Sequence, residues 1–201
     1  DIGEDEPRFC RVRGKLFCEN TYENKIAVGD RVKIDQSINK KMGLIYKVLP
    51  RNTKFSRRNK IGTPEQILVS NADTLLIVSS IKTPSFSAGL VDRFLVAASC
   101  GGLETFLILN KIDLGNSKDI NHIKELYSSL GCKVILTSVY EYKGLSKLKK
   151  LIKNRTSILS GHSGVGKSSL ISALYPKWGI RIGQISNKSG KGQHTTIMPE
   201  M

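Results

Sequence analysis

Residues 161–168 read Gly161-His162-Ser163-Gly164-Val165-Gly166-Lys167-Ser168, which fits the pattern G-x-x-x-x-G-K-S/T of a phosphate-binding loop. Its three glycines allow the backbone to bend so that successive N–H groups point at phosphate oxygens. In such a loop Lys167 contacts the β- and γ-phosphates, and the Ser168 hydroxyl is placed to ligate Mg²⁺. The flanks predict a strand at residues 158–159 and a helix that ends before Pro176. The segment therefore predicts a nucleotide-binding loop.

Length and composition limit the kind of protein this is. The chain has 201 residues, 39% of them hydrophobic, which allows one large or two smaller globular domains. Its longest apolar runs, such as residues 105–109, are too short to span a bilayer. The chain opens on acidic residues without a secretory signal, and its four cysteines form no C-x-x-C pair. We expect reduced thiols, no zinc site in this chain and a cytoplasmic location, with a plastid or mitochondrion as the alternative.

The formal net charge of +15 is large for a chain of this size. A nucleotide ligand does not call for so much positive charge, which favours a polyanionic partner, and nucleic acid in particular. The alternative is a lysine-rich surface that serves solubility.

Residues 1–66 predict a small all-β domain. Short runs of β-branched and aromatic residues, separated by glycines, predict strands at residues 9–13, 25–28, 31–34 and 44–49. An OB-fold is the commonest small barrel that meets nucleic acid, although the pattern alone does not separate it from an SH3-like barrel. The segment Ile61-Gly-Thr-Pro64 predicts the end of this domain.

A basic segment within this domain contains two aromatic residues, Tyr46 and Phe55. Its cations are Lys40, Lys41, Lys47, Arg51, Lys54, Arg57, Arg58 and Lys60. Basic and aromatic residues together suit a phosphate backbone with stacked bases, and a solvated loop is the alternative.

Residues 67–201 alternate predicted strands and helices, which favours a parallel α/β sheet. The predicted strands are residues 74–78, 105–109, 133–136 and 158–159, and the predicted helices are residues 89–98, 120–130 and 145–152.

The tetrapeptide Asn110-Lys111-Ile112-Asp113 follows the strand at residues 105–109 and fits N-K-x-D, the guanine-specifying motif of GTPases. The Asp113 carboxylate can accept hydrogen bonds from the N1–H and the exocyclic amine of guanine. Adenine offers no such donor pair, so the motif predicts GTP in preference to ATP. The Lys111 stem can pack over the base while Asn110 braces the loop.

Thr137-Ser138-Val139 follows the next strand and matches the position of the third base-contacting loop, which is usually Ser-Ala-Lys. Val139 stands where Ala is usual, and Tyr140 where Lys is usual. Both base-contacting loops precede the phosphate loop, which is the reverse of the order in ordinary small GTPases. The chain is therefore predicted to be a circularly permuted P-loop GTPase fold.

The sequence resembles the RsgA/YjeQ family of circularly permuted GTPases, which act in late maturation of the small ribosomal subunit. The resemblance covers nearly the whole chain. It is carried by Val28-Gly-Asp-Arg-Val32, Pro50-Arg51, Glu65-Gln66, the N-K-x-D tetrapeptide, the loop through Ser169, and Gly192-Gln-His-Thr-Thr196. It implies an OB-fold domain before the GTPase domain, binding of rRNA, GTP or GDP and Mg²⁺, and slow GTP hydrolysis that the small subunit stimulates. We further expect a monomer without a membrane partner.

The resemblance also assigns roles near the end of the chain, where residues 192–196 occupy the position of switch I. Thr195 or Thr196 would ligate Mg²⁺ together with Ser168 and sense the γ-phosphate. His194 could orient the attacking water or stabilise charge, and an rRNA-contacting or structural role is the alternative.

Two features of the family have no counterpart in this sequence, namely an Asp-x-x-Gly motif after switch I and a zinc-binding C-terminal domain. We expect these to follow Met201, and the chain as given to bind GTP or GDP but to hydrolyse GTP poorly. One alternative is a nucleotide-regulated RNA-binding module with little catalysis. Another, an ATP-dependent RNA enzyme, is disfavoured by the N-K-x-D motif.

The candidate site residues fall into three groups. The nucleotide would contact Asn110, Lys111, Asp113, Thr137, Ser138, Val139, Gly161, His162, Ser163, Gly164, Val165, Gly166, Lys167, Ser168 and Ser169. Mg²⁺ would be held by Ser168, Thr195 and Thr196. Catalysis would use His194, Lys167, Thr195 and Thr196.

Overall fold

The computed structural model describes residues 9–17, 26–35, 42–57 and 65–178, and the chain divides between Asn71 and Ala72 into two compact units. The described elements of the first unit are five strands: β1 (Phe9–Phe17), β2 (Val32–Asp35), β3 (Met42–Val48), β4 (Lys54–Arg57) and β5 (Gln66–Ser70). They form a three-stranded sheet in the order β1-β3-β2 and a separate antiparallel β4-β5 pair. β1 runs parallel to β3, and β2 runs antiparallel to it.

The predicted strand at residues 9–13 lies within β1, and the predicted strands at residues 31–34 and 44–49 overlap β2 and β3 but for Arg31 and Leu49. In the described part of the run at residues 25–28, Val28 makes an isolated bridge to Val69. The division after Asn71 lies later than the domain boundary predicted after Gln66, because β5 pairs with β4 and thus belongs to the first unit. The predicted boundary segment, residues 61–64, lies outside the described residues.

Of the basic segment, the structure describes Tyr46, Lys47, Arg51, Lys54, Phe55 and Arg57, whereas Lys40, Lys41, Arg58 and Lys60 lie outside the described residues. Phe55 is only 5% exposed, because it lies on β4 with its side chain in the core, so it is not available to stack on a base. Arg51 forms an ion pair with Asp30 at 2.7 Å, and Lys54 pairs with Glu65 at 2.8 Å. Tyr46 is the aromatic residue of this segment that is exposed.

Asp30 organises the polar interior of the first unit. Its carboxylate accepts hydrogen bonds from Nε and Nη2 of Arg51 at 2.7 Å each, from Ser70 Oγ at 2.7 Å and from the backbone N–H of Ala27 at 2.8 Å. Burial by itself raises the pKa of Asp30, but the hydrogen bonds from Arg51, Ser70 and Ala27 outweigh it and hold the pKa below its usual value. This carboxylate therefore joins three separate segments of the unit.

The second unit alternates strands and helices as predicted. Its elements are β6 (Thr74–Ser80), α1 (Ala88–Cys100), β7 (Glu104–Asn110), α2 (Ser117–Ser129), β8 (Lys133–Leu136), α3 (Leu145–Ile152), β9 (Ser157–Ser160) and α4 (Lys167–Leu174). Each predicted strand and helix lies within one of these elements or overlaps most of it. The strands form one sheet in the order β8-β7-β6-β9, and every neighbouring pair is parallel.

Helices cover the sheet of the second unit. Every residue of β6 is buried, as expected for a central strand of a parallel sheet with helices on both faces. α1 packs on β6 and β7, α2 packs on β8, and α3 contacts α4. One core cluster comprises Leu76, Val78, Phe106, Ile108, Ile135, Leu148, Val165, Leu170 and Leu174. Among the helices that the structure describes, none has the length and apolarity needed to cross a membrane.

Candidate functional site

Three predicted loops meet at one edge of the parallel sheet. The phosphate-loop segment follows β9, the N-K-x-D segment follows β7, and residues 137–139 follow β8. Because neighbouring strands of this sheet are parallel, their carboxyl ends share an edge, which is where open α/β sheets bind ligands. The topology thus assembles segments that are distant in the sequence.

Asn110 holds the three loops together. Its side chain is buried, with Nδ2 donating to the Val165 carbonyl at 2.9 Å and Oδ1 accepting from Thr137 Oγ1 at 3.0 Å. One amide therefore joins the loops that follow β7, β8 and β9. The predicted bracing role of Asn110 corresponds to these two hydrogen bonds.

Lys111 forms a second link between the loops. Its backbone is left-handed, with φ 59°, and its Nζ donates to the Gly164 carbonyl at 2.8 Å and to the Thr83 carbonyl. Burial lowers the pKa of Lys111, and the charge of Asp113 acts in the opposite direction. The contact with Thr83 adds the segment after β6 to the site. Sequence reasoning missed this segment because the contact is made by a backbone atom, which leaves no residue-type signal.

Asp113 lies half-buried in a short 3₁₀ turn, Ile112–Leu114. Ser138 Oγ donates to Asp113 Oδ1 at 2.5 Å and accepts from the Glu141 N–H at 3.0 Å. Because the Ser138 hydroxyl already accepts from Glu141, its proton is directed to Asp113, which keeps the carboxylate in one orientation. Val139 packs against the core cluster below the loop.

Two glycines of the phosphate loop are required by close approach. A Cβ at Gly161 would lie 2.0 Å from the Val78 carbonyl oxygen of β6. Gly166 has φ 97°, and a Cβ there would lie 2.5 Å from Asn110 Nδ2. Side chains at these positions would displace the loop from β6 or from Asn110. The loop can therefore lie this close to the sheet only with glycine at both positions.

Lys167 begins α4 and turns back over the loop. Its Nζ donates to the carbonyls of Gly161 at 2.9 Å and His162 at 2.8 Å, and burial lowers the pKa of Lys167. His162 is exposed, with Nδ1 2.8 Å from the carbonyl of Ser163. Ser168 and Ser169 lie half-buried in the first turn of α4.

The N-terminus of α4 fits phosphate because its cap, Gly166, has no side chain that could accept hydrogen bonds from the first N–H groups of the helix. Within residues 9–17, 26–35, 42–57 and 65–178, no three His, Cys, Asp or Glu side chains converge as a metal site. Magnesium bound with a nucleotide uses few protein ligands besides phosphate oxygens and water, so the single Ser168 hydroxyl fits that ion.

The structure brings together the predicted residues of the three loops, from Asn110 to Asp113, from Thr137 to Val139 and from Gly161 to Ser169. His194, Thr195 and Thr196 lie outside the described residues, so their predicted roles in catalysis and in Mg²⁺ binding stay predictions.

Comparisons with known proteins relate this arrangement to one family. The family model for the RsgA GTPase matches residues 48–201. The small ribosomal subunit biogenesis GTPase RsgA of Chlorobaculum parvum is 36% identical over 209 residues, which cover 100% of this chain and 67% of that protein. The protein of the same name from Chlorobaculum tepidum is 37% identical, over 96% of this chain and 64% of its own length.

Two solved structures are similar to this chain. YjeQ from Thermotoga maritima has a TM-score of 0.64 and 35% identity, over 86% of this chain and 58% of that one. YloQ, a circularly permuted GTPase, has a TM-score of 0.59 and 31% identity, over 96% of this chain and 63% of that one. The chain therefore spans about two thirds of the length of its curated relatives.

Proposed function

This chain belongs to the RsgA GTPase family, and on that premise we propose that it binds GTP and GDP and hydrolyses GTP as an assembly factor of the small ribosomal subunit. The observation that carries the proposal is the pair of hydrogen bonds of Asn110, to Val165 of the phosphate loop and to Thr137 of the loop after β8. These bonds keep a phosphate-binding segment and two base-contacting segments in one fixed arrangement.

Asp113 selects guanine in this proposal. The Ser138 hydroxyl orients the carboxylate, which can then accept from the N1–H and the exocyclic amine of the base. A site built on this contact disfavours adenine, because the half-buried carboxylate would face a ring nitrogen that accepts hydrogen bonds.

The phosphates occupy the loop of residues 161–166 and the first turn of α4. Lys167 exchanges its bonds to the Gly161 and His162 carbonyls for phosphate oxygens, and Ser168 holds Mg²⁺ with Thr195 or Thr196. The bound ion neutralises charge that develops on the phosphates during transfer. His194 positions the attacking water.

The first unit binds rRNA in this proposal and has the OB-fold of the family. Its described elements are all strands, and the net charge of +15 of the whole chain, which the two units share, is compatible with that role. We further propose that the protein acts as a monomer in the cytoplasm.

The test is GTP binding and turnover by the purified chain, with and without small ribosomal subunits. Fluorescent GTP should bind to the chain. An excess of unlabelled GTP should displace it, whereas an excess of ATP should not. Equal displacement by ATP would overturn the guanine assignment. Small subunits should raise the turnover rate; no change in rate would overturn the assembly-GTPase assignment for this chain.

A second candidate function is a nucleotide-regulated RNA-binding module without significant catalysis, which the nucleotide-binding loops and the net charge of +15 also support. Tight GTP binding, together with RNA affinity that differs between GTP and GDP and with no stimulated turnover, would establish this second function.

A further inference from the structure

The turn at residues 138–143, here called the tyrosine turn, is tightly hydrogen-bonded. Ser138 and Lys143 exchange two backbone hydrogen bonds, N–H of Ser138 to the Lys143 carbonyl at 3.1 Å and the reverse at 3.0 Å. The Glu141 N–H donates to Ser138 Oγ, and the Tyr142 N–H donates to the Val139 carbonyl at 3.4 Å. The turn is thus a structured projection from the carboxyl edge of the sheet.

This turn exposes two large aromatic side chains. Tyr140 is 86% exposed and Tyr142 is 80% exposed, so neither gains free energy by burying apolar area within the fold. Tyr142 also has φ 55°, a left-handed conformation that bulky residues rarely adopt and that Gly or Asn adopts at lower cost. Folding therefore gives no reason for tyrosine at either position, which points to a ligand.

The surroundings of the turn are basic. α3 begins two residues after the turn, carries Lys147, Lys149 and Lys150 on its exposed surface, and is followed by Lys153. No acidic residue occurs from Tyr142 to Arg155, and the one acidic residue of the turn, Glu141, is paired with Lys143 at 2.8 Å. Exposed aromatic rings beside a run of lysines complement a polyanion that also presents flat apolar groups.

We propose that the tyrosine turn and the lysines of α3 form a binding surface for single-stranded RNA, with Tyr140 and Tyr142 stacking on unpaired bases and the lysines contacting phosphates. Single-stranded nucleic acid is the polyanion that offers both kinds of contact. The inference rests on the proposed function, which makes RNA the partner, but it assigns RNA contact to the second unit and not to the first unit alone.

A single-tryptophan reporter tests the contact at its own location. Trp178 is the only tryptophan in the sequence, so a Trp178→Phe chain that also carries Tyr142→Trp has one indole, on the turn. We expect saturable quenching of its fluorescence by a short unlabelled oligoadenylate, because a stacked base quenches indole. The matched control is Leu130→Trp in the same Trp178→Phe background. Leu130 is 65% exposed and follows α2, and an indole there should show no quenching. Absence of quenching at position 142 would overturn the proposal.

A second measurement separates stacking from apolar contact. The affinity for a fluorescein-labelled oligoadenylate is measured by fluorescence anisotropy for three proteins. They are the parent chain, a double variant with Tyr140→Phe and Tyr142→Phe, and a double variant with Tyr140→Leu and Tyr142→Leu. The phenylalanine pair should bind like the parent chain, whereas the leucine pair should bind about tenfold or more weakly, since each stacked base contributes substantially to affinity. Equal binding by the leucine pair would overturn stacking.

The salt dependence of oligoadenylate binding tests the lysines of α3. Replacement of Lys147 and Lys150 by Ala should make the plot of log K against log salt concentration less steep, by roughly one released counterion for each lysine replaced. An unchanged slope would show that these lysines do not contact the phosphates. Binding of fluorescent GTP is measured for every variant in parallel. Normal GTP binding without quenching at position 142 would contradict this inference but not the proposed function. Quenching in a chain that binds no GTP would contradict the proposed function but not this inference.

Discussion

Single side chains with more than one partner hold the candidate site in shape. Asn110 joins three loops, and Ser138 fixes the orientation of Asp113. The residue types of Asn110 and Asp113 were predictable from the N-K-x-D pattern. Their hydrogen bonds were not, because the Val165 carbonyl that accepts from Asn110 is a backbone group, and the Ser138 hydroxyl that donates to Asp113 lies on a separate loop.

We predict that Asp113→Asn exchanges guanine for xanthine as the preferred base. Guanine offers two donors to a carboxylate, while an amide offers one acceptor and one donor, which matches the N1–H and the C2 carbonyl of xanthine. GTP affinity should fall by about 100-fold or more, since a site built for hydrogen bonds strongly rejects a base that leaves them unmade. Competition of GTP and XTP against a fluorescent nucleotide measures the exchange.

The matched control for this change is Asp119→Asn, which removes the same charge at an exposed position of α2. It should leave both affinities unchanged. A loss of GTP affinity in Asp113→Asn with no gain for XTP would contradict the assigned contact.

Asp30 provides a prediction for stability. Its pKa is held below the usual value, so its contribution to stability is fully present above the unfolded-state pKa, about 4 for Asp. That contribution is lost as the pH falls through the folded-state pKa. Asp30→Asn should lower the free energy of unfolding of the first unit by about 3 kcal/mol at pH 7, because it removes the charge that pairs with Arg51 at 2.7 Å in a largely buried place.

Urea unfolding of both chains across pH 7 to pH 3 measures this effect, and the difference between them should shrink toward the acid end. A difference that is independent of pH would show that the carboxylate charge does not stabilise the unit.

At the scale of elements, the phosphate loop depends on its contact with β6. Gly161→Ala places a Cβ 2.0 Å from the Val78 carbonyl, so the loop must shift. We predict a loss of stability of about 1–3 kcal/mol, typical of an overpacked site, and at least a tenfold loss of GTP affinity. Thermal or urea unfolding and nucleotide titration give the two values.

Gly89→Ala is the control, because a Cβ at Gly89 in the first turn of α1 meets no atom within 4 Å. It should raise stability by about 0.5–1 kcal/mol, since alanine favours a helix over glycine. Equal behaviour of the two alanine variants would rule out the close approach to β6.

Elements with a clear apolar pattern were predictable, including the four-residue strand β8, and two strands without such a pattern were not. The helical pattern of α3 was predicted with its bounds, because apolar residues recur at helical spacing along it. β4 and β5 were missed. The four residues of β4 carry two cations and read as a basic loop, and only pairing with β5 makes them a strand.

At the scale of the whole molecule, the sheet order β8-β7-β6-β9 places three loops from three strands at one edge of the second unit. In the proposed site all three would contact one nucleotide, so nucleotide binding should stabilise the folded unit. We predict that GDP at about 100 times its dissociation constant stabilises this unit by about 2.7 kcal/mol. Thermal unfolding with GDP measures the shift, ATP at equal concentration should give none, and a Tm that does not respond to GDP would contradict the assembled site.

The sequence by itself determined the phosphate loop, the guanine motif, the alternation of strands and helices, and the permuted order. These depend on residue types and spacings, which short-range chemistry dictates. The tertiary structure decided that Phe55 is buried, that Asp30 collects its donors from three segments, and that one amide of Asn110 joins the loops. It also decided that Tyr140 and Tyr142 project into solvent. Burial and hydrogen-bond partners arise from strand pairing and packing between residues far apart in the chain, and no local pattern encodes them.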